Sequence, residues 1–273
     1  MPMVDARDGT KLYVKDWGSG PPVVFIHGWP LNADMWEYQM PFLAAQGFRC
    51  VAYDRRGFGR SEQPWSGYDY DTFADDLSAV MDALDLRGAT LVGFSMGGGE
   101  VARFLSRHGT GRVSKAVLLA AVTPFLLKTP DNPGGAERSV FDGMVQGLEK
   151  DRPNFLNTFA KPFFGVGPLT FSISSEIMQW TLMLALQASP KATIACVRAF
   201  SETDFRPDMP AFTVPTLIIH GTSDQTVPID GSARVAARMI PGARLVEYEG
   251  ASHALFFTEK DRLNGDLLAF VRG

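Results

Sequence analysis

The chain alternates short apolar runs with longer stretches whose apolar residues return every three or four positions. Val23-Val24-Phe25-Ile26 is a continuous apolar run, the mark of an interior parallel strand covered on both faces. Similar runs at residues 50–53, 91–92, 117–121, 216–220 and 244–248 predict further strands. Between them, three groups share a helix face: Trp36, Met40, Phe42 and Leu43; Phe73, Leu77, Val80, Met81 and Leu84; and Val101, Ala102, Phe104 and Leu105. The second of these helices is expected to begin after Asp71-Thr72. Near the start, Asp8-Gly9 separates residues 3–6 from 12–16 and predicts a hairpin. Strand and helix in this alternation predict a mostly parallel, doubly wound α/β sheet of eight strands.

Between residues 122 and 210 the alternation stops. That segment is rich in Phe, Met, Pro and Gly, predicts helix over 176–188 through Ile177, Trp180, Thr181 and Leu184, and offers no strand. Helices are predicted again over 233–239 and 259–270. The expected organisation is one domain, with residues 1–121 and 211–273 as its core and 122–210 inserted as a helical cap over a pocket. Phe125, Phe141, Phe155, Phe159, Phe163 and Phe164 predict a dry pocket wall.

One junction carries a nucleophile signature. Gly93-Phe94-Ser95-Met96-Gly97 stands where a strand turns into a helix, and it matches the Gly-x-Ser-x-Gly elbow that lifts a serine above a sheet. Serine needs a base, and the base needs an orienting acid. Of the four histidines, His108 reads as surface, and His27 and His220 as hydrogen-bonded structural residues closing core strands. His253 lies in a loop after the penultimate predicted strand. Asp224 follows the strand at 216–220, where open α/β sheets place their sites, and the order Ser95, Asp224, His253 is the one this fold uses. Asp54 and Asp204 are rival acids that rank below it. Oxyanion donors are expected at the backbone N–H groups of Met96, directly after the nucleophile, and Trp29, in the loop after residue 26. Pro30 is expected to hold Trp29 near extended geometry.

The remaining features mostly exclude. A net charge of −4 over 273 residues gives no basic face for nucleic acid and no footprint for anionic lipid. No apolar run is long enough to span a bilayer, and the first seven residues lack a signal core, so a cytoplasmic protein is expected. Cys50 and Cys196 read as two buried free thiols. Gly57-Phe58-Gly59 lacks the rest of a dinucleotide loop and reads as a tight turn. No metal-ligand motif is present, and neither metal nor cofactor is expected.

Taken together, His27-Gly28-Trp29-Pro30, the stretch from Tyr53 to Ser61, Gly93 to Ala102, Ala121-Val122-Thr123-Pro124, the stretch from Glu202 to Asp208, and Ser223-Asp224-Gln225 resemble the cofactor-free bacterial haloperoxidase and aryl esterase family of α/β-hydrolases. The likeness spans almost the whole chain. It implies a serine carboxylesterase for small esters that also forms peracids when hydrogen peroxide replaces water, with halide oxidised by the released peracid. By the same likeness Ser95, Asp224 and His253 are catalytic, Trp29 and Met96 form the oxyanion hole, and Trp29, Phe159 and Val227 line the substrate pocket. Trp29-Pro30 resembles members that favour perhydrolysis. The family's homo-oligomers, trimers or dimers of trimers, are implied as well. Alternatives on the same scaffold are a lactamase, a carbon–carbon bond hydrolase or a non-catalytic receptor. Dehalogenase and epoxide hydrolase chemistry need a carboxylate where Ser95 stands. One departure is Ser252-His253-Ala254, where the family usually has Pro-His-Gly; alanine disfavours the positive φ open to glycine, so this loop is expected to differ in detail.

Overall fold

The computed structural model describes residues 3–167 and 173–273. Its strands are β1 (Met3–Asp5), β2 (Lys11–Gly18), β3 (Pro22–Ile26), β4 (Arg49–Tyr53), β5 (Ala89–Phe94), β6 (Val113–Leu119), β7 (Thr216–Gly221) and β8 (Arg244–Tyr248). They form one eight-stranded sheet in the order β1-β2-β4-β3-β5-β6-β7-β8. β1 and β2 pair antiparallel, as do β2 and β4, and every other pairing is parallel. The hairpin and the mostly parallel sheet read from the sequence are both present.

The continuous apolar runs have their reason in the two cores. Val24, Ile26, Leu91, Leu118 and Ile218 face one side of the sheet, and Val23, Phe25, Val92, Leu119 and Ile219 the other. Because strand side chains alternate, burial of both faces demands an apolar residue at every position. The helices α2 (Tyr70–Ala83), α3 (Met96–His108) and α7 (Ala233–Met239) close the first side; α1 (Met40–Ala45), with α8 (Leu255–Thr258) and α9 (Lys260–Arg272), closes the second.

Some boundaries shift for local reasons. The first predicted helix splits into a 3-10 turn (Ala33–Trp36), capped by the Asn32 side chain, and α1, which carries Pro41 in its first turn. α2 starts before the expected point because Asp69, and not Asp71 or Thr72, is the cap: its side chain accepts from the Thr72 amide at 2.9 Å.

Between β6 and β7 the described residues contribute no strand to the sheet. They form α4 (Arg138–Phe163), α5 (Ser175–Leu186) and α6 (Pro190–Glu202); residues 168–172, inside the expected cap segment, lie outside the described residues. The sequence pattern missed α4 and α6. α4 breaks at Asp151, whose φ of −159° is non-helical and whose carboxylate caps Asn154 at 3.0 Å, so Pro153 falls in the first turn of a fresh helical piece.

Candidate active site

β5 delivers the chain to Ser95, and α3 takes it away. Ser95 has φ 54° and ψ −118°, a conformation that a non-glycine residue holds only when its surroundings over-determine it. They do: its amide donates to the Leu119 carbonyl at 2.9 Å, and its own carbonyl accepts from Gly98 at 3.0 Å and Val122 at 3.2 Å. The elbow glycines are there for space. A Cβ at Gly97 would run into the Ile26 carbonyl, and one at Gly93 into the Gly97 backbone.

The structure brings Ser95, His253 and Asp224 into a single hydrogen-bonded line. His253 Nε2 lies 2.9 Å from Ser95 Oγ, and His253 Nδ1 lies 2.6 Å from Asp224 Oδ2. The carboxylate accepts only, so the ring proton sits on Nδ1 and the Nε2 lone pair faces the serine hydroxyl. Asp224 is more fully bound than the sequence indicated. Its Oδ1 accepts from the amides of Thr226 and Val227, each at 2.8 Å, and His220 Nε2 stands 3.2 Å from Oδ2. Burial works against ionisation of Asp224, yet the field of His253 and hydrogen bonds from His220 and His253 hold its carboxyl below the usual carboxylate range.

Two loops must meet for that line to form. The acid loop after β7 is laced to the histidine loop after β8 by Thr222 N to Tyr248 O at 3.0 Å and Ser223 N to Ala251 O at 3.0 Å. On its other side the histidine loop is held by the end of α4: the Ala254 amide donates to the Phe163 carbonyl at 2.9 Å. The His253 ring packs against Phe94 and Phe163, with centroids 4.9 and 5.0 Å away. Position 254 has φ −78°, which alanine adopts without strain.

Trp29 is buried, and its indole Nε1 donates to the Thr193 carbonyl of α6 at 3.0 Å. The peptide joining it to Pro30 is cis. Met96 is the first residue of α3, so its N–H has no acceptor within the helix. Behind them a buried ion pair anchors the loop. Arg55 bonds Glu100 of α3 at 2.7 Å and the His27 carbonyl at 2.9 Å. His27 donates from Nδ1 to the Gly28 carbonyl at 3.0 Å and accepts the Arg55 amide at 2.9 Å. Burial, reinforced by Arg55, pushes this histidine well below its ordinary value, so it stays neutral.

Ser95 opens on a cavity of about 630 Å³, which Trp29, Phe159 and Val227 also line. Four of the six expected wall phenylalanines reach it: Phe125, Phe141, Phe155 and Phe159. Phe163 and Phe164 do not: both are buried, Phe163 beside His253 and Phe256, and Phe164 between Phe163 and Phe257. Phe200 and Met144, which the sequence did not single out, line the cavity as well. The rival acids are occupied elsewhere, Asp54 with Arg60 and the Ala33 amide, and Asp204 with Arg206. His108 is half-buried and bonds Asp75 at 2.8 Å, so it is less free than a surface residue.

Residues 21–260 match the family described as alpha/beta hydrolase fold. The chain is 45% identical, over 99% of both lengths, to the non-heme chloroperoxidase CPO-A1 of Kitasatospora aureofaciens. It is 41% identical, over the full length of both, to the bifunctional esterase/perhydrolase DCH of Acinetobacter calcoaceticus. Among solved structures, a bromoperoxidase from Bacillus anthracis superposes with a TM-score of 0.96 at 45% identity, covering 100% of this chain and 99% of that one.

Proposed function

Because the chain belongs to the α/β-hydrolase fold family, we propose that it is a serine carboxylesterase that works through an acyl-enzyme and also makes peracids from hydrogen peroxide. One observation carries this reading: the unbroken line from Asp224 through His253 to Ser95, ending at the mouth of an apolar cavity.

Ser95 Oγ attacks the ester carbonyl while His253 Nε2 takes its proton, and Asp224 stabilises the imidazolium and fixes its orientation. The oxyanion forms against the N–H groups of Met96 and Trp29. On collapse the alcohol leaves with the proton from His253, and the acyl group stays on Ser95. Water or hydrogen peroxide then attacks, gives a proton to His253, and releases an acid or a peracid as that proton returns to Ser95. Halide oxidation follows in solution from the peracid. The segment 122–210 acts as the cap that walls the cavity, over a core of residues 1–121 and 211–273. A cytoplasmic homo-oligomer, a trimer or dimer of trimers, completes the reading; light scattering on the full chain tests it, and a monomer at micromolar concentration counts against it.

The test of the chemistry is Ser95→Ala. Ester hydrolysis falls roughly a million-fold, and labelling by a fluorophosphonate disappears. Equal labelling of wild type and variant defeats the assignment. Peracid formed from a simple acetate ester in peroxide, lost in the same variant, tests the second activity; its absence in wild type removes the perhydrolase part.

A further inference from the structure

The cavity beside Ser95 is both larger and more uniformly uncharged than a short ester requires. Its volume of about 630 Å³ equals roughly twenty water-sized volumes, within the range of pockets that enclose drug-sized ligands. An acetyl group fills a small part of that. The wall is aromatic: Trp29 meets Phe159 and Phe200 edge-on at 5.3 and 5.7 Å, and Phe155 stacks on Phe159 at 6.1 Å. The polar edge of Trp29 is turned away and satisfied by Thr193, so the indole offers the cavity only its apolar surface. Polar side chains on the lining are Ser95 itself, Thr158, Gln225 and Thr226, all neutral. No described lining residue is ionisable, and the sequence of residues 168–172 holds no ionisable side chain either.

We propose, building on the esterase reading above, that the preferred substrates are uncharged esters whose acyl chain is apolar and at least about eight carbons long, and that esters bearing a second, ionised carboxylate are rejected. Each methylene moved from water onto this wall favours the bound transition state by roughly two- to fourfold. An ionised carboxylate in the same place would lose its water with no cation or charged donor to replace it, and such a loss outweighs several methylenes. Val140, 54% exposed at the lip of the cavity, marks where it meets solvent.

The experiment measures kcat/KM for p-nitrophenyl acetate, butyrate, hexanoate and octanoate below their aggregation limits, and for dimethyl suberate against monomethyl suberate at neutral pH. The expected rise from acetate to octanoate is at least about tenfold, and the diester is expected to exceed the ionised monoester by at least about a hundredfold. Met144→Trp, which fills part of the cavity from α4, lowers the octanoate-to-acetate ratio at least about fivefold. A flat or falling series, a monoester within about threefold of the diester, or a ratio unmoved by Met144→Trp overturns the proposal while leaving the esterase reading intact. Loss of that reading looks different: no ester in the panel is turned over, or turnover survives Ser95→Ala.

Discussion

His220 Nε2 stands 3.2 Å from Asp224 Oδ2, the carboxylate oxygen that His253 also uses. The same nitrogen lies 2.8 Å from the Val227 carbonyl, which can only accept, so the proton is on Nε2 and is shared between the two oxygens. His220 Nδ1 is buried and has no partner among the described residues. The acid is thus steered by four donors, of which His253 is one.

Losing the His220 donor therefore loosens Asp224 without touching substrate. His220→Leu is expected to lower kcat by about ten- to a hundredfold with KM little changed, the value of one hydrogen bond to a charged acceptor. His220→Gln, whose amide keeps a donor near the same place, restores most of the loss. Steady-state kinetics on both variants, with thermal unfolding as a control for folding, checks this.

The lowered carboxyl of Asp224 sets a pH signature. An acid whose folded value is depressed adds stability in full above its ordinary value and loses it as pH falls through the folded value. The stability gap between wild type and Asp224→Asn is accordingly constant from about pH 8 to pH 5 and narrows only below about pH 4. Urea unfolding of the two proteins across that range measures it; a gap that closes near neutrality counts against an ionised, tightly held Asp224.

Gly165 lies just past the end of α4 with φ +68°, and a Cβ there would come 2.8 Å from the Ser252 side chain, next to His253. Gly165→Ala is expected to cost about 1–3 kcal/mol of stability. It is also expected to lower kcat, because the strain is relieved by moving the histidine loop. Calorimetry and kinetics on the one variant separate the two effects.

Glu100 and Arg55 form an ion pair with both side chains fully buried. Burial pushes the Glu100 carboxyl well up and the Arg55 guanidinium down. Glu100→Ala leaves the guanidinium uncompensated, with an expected loss of about 3–5 kcal/mol in denaturant unfolding.

Burial also pushes the Cys50 and Cys196 thiols up to about 12 each. Neither forms thiolate near neutral pH, so both are expected to resist iodoacetamide in the native protein at about pH 8 and to react once it is unfolded. Mass spectrometry of the alkylated protein reads this directly, and rapid native labelling of either thiol would contradict it.

The sheet and the serine elbow were legible in the linear chain because each is dictated locally. A strand buried on both faces admits apolar residues at every position, which makes 23–26 and 216–220 conspicuous. A serine lifted on a strand-to-helix turn needs glycine at 93 and 97, where the Gly97 and Ile26 backbones leave no room for a side chain. The order of Ser95, Asp224 and His253 followed from that frame. What depended on distant segments was not legible. α4 hides behind Pro153, Pro162 and two glycines, and it stands as helix because its apolar face packs against α5 and α6. His220 and Asp224 are four residues apart with nothing in their spacing to reveal contact; they meet because the turn after β7 folds back on its own strand. The size of the cavity, the place of Phe163 behind Phe159 and off the cavity surface, and the clamp of α4 on the histidine loop are likewise products of packing. Local sequence encodes backbone conformation and burial, but which side chains share a space is decided only when elements far apart in the chain press together.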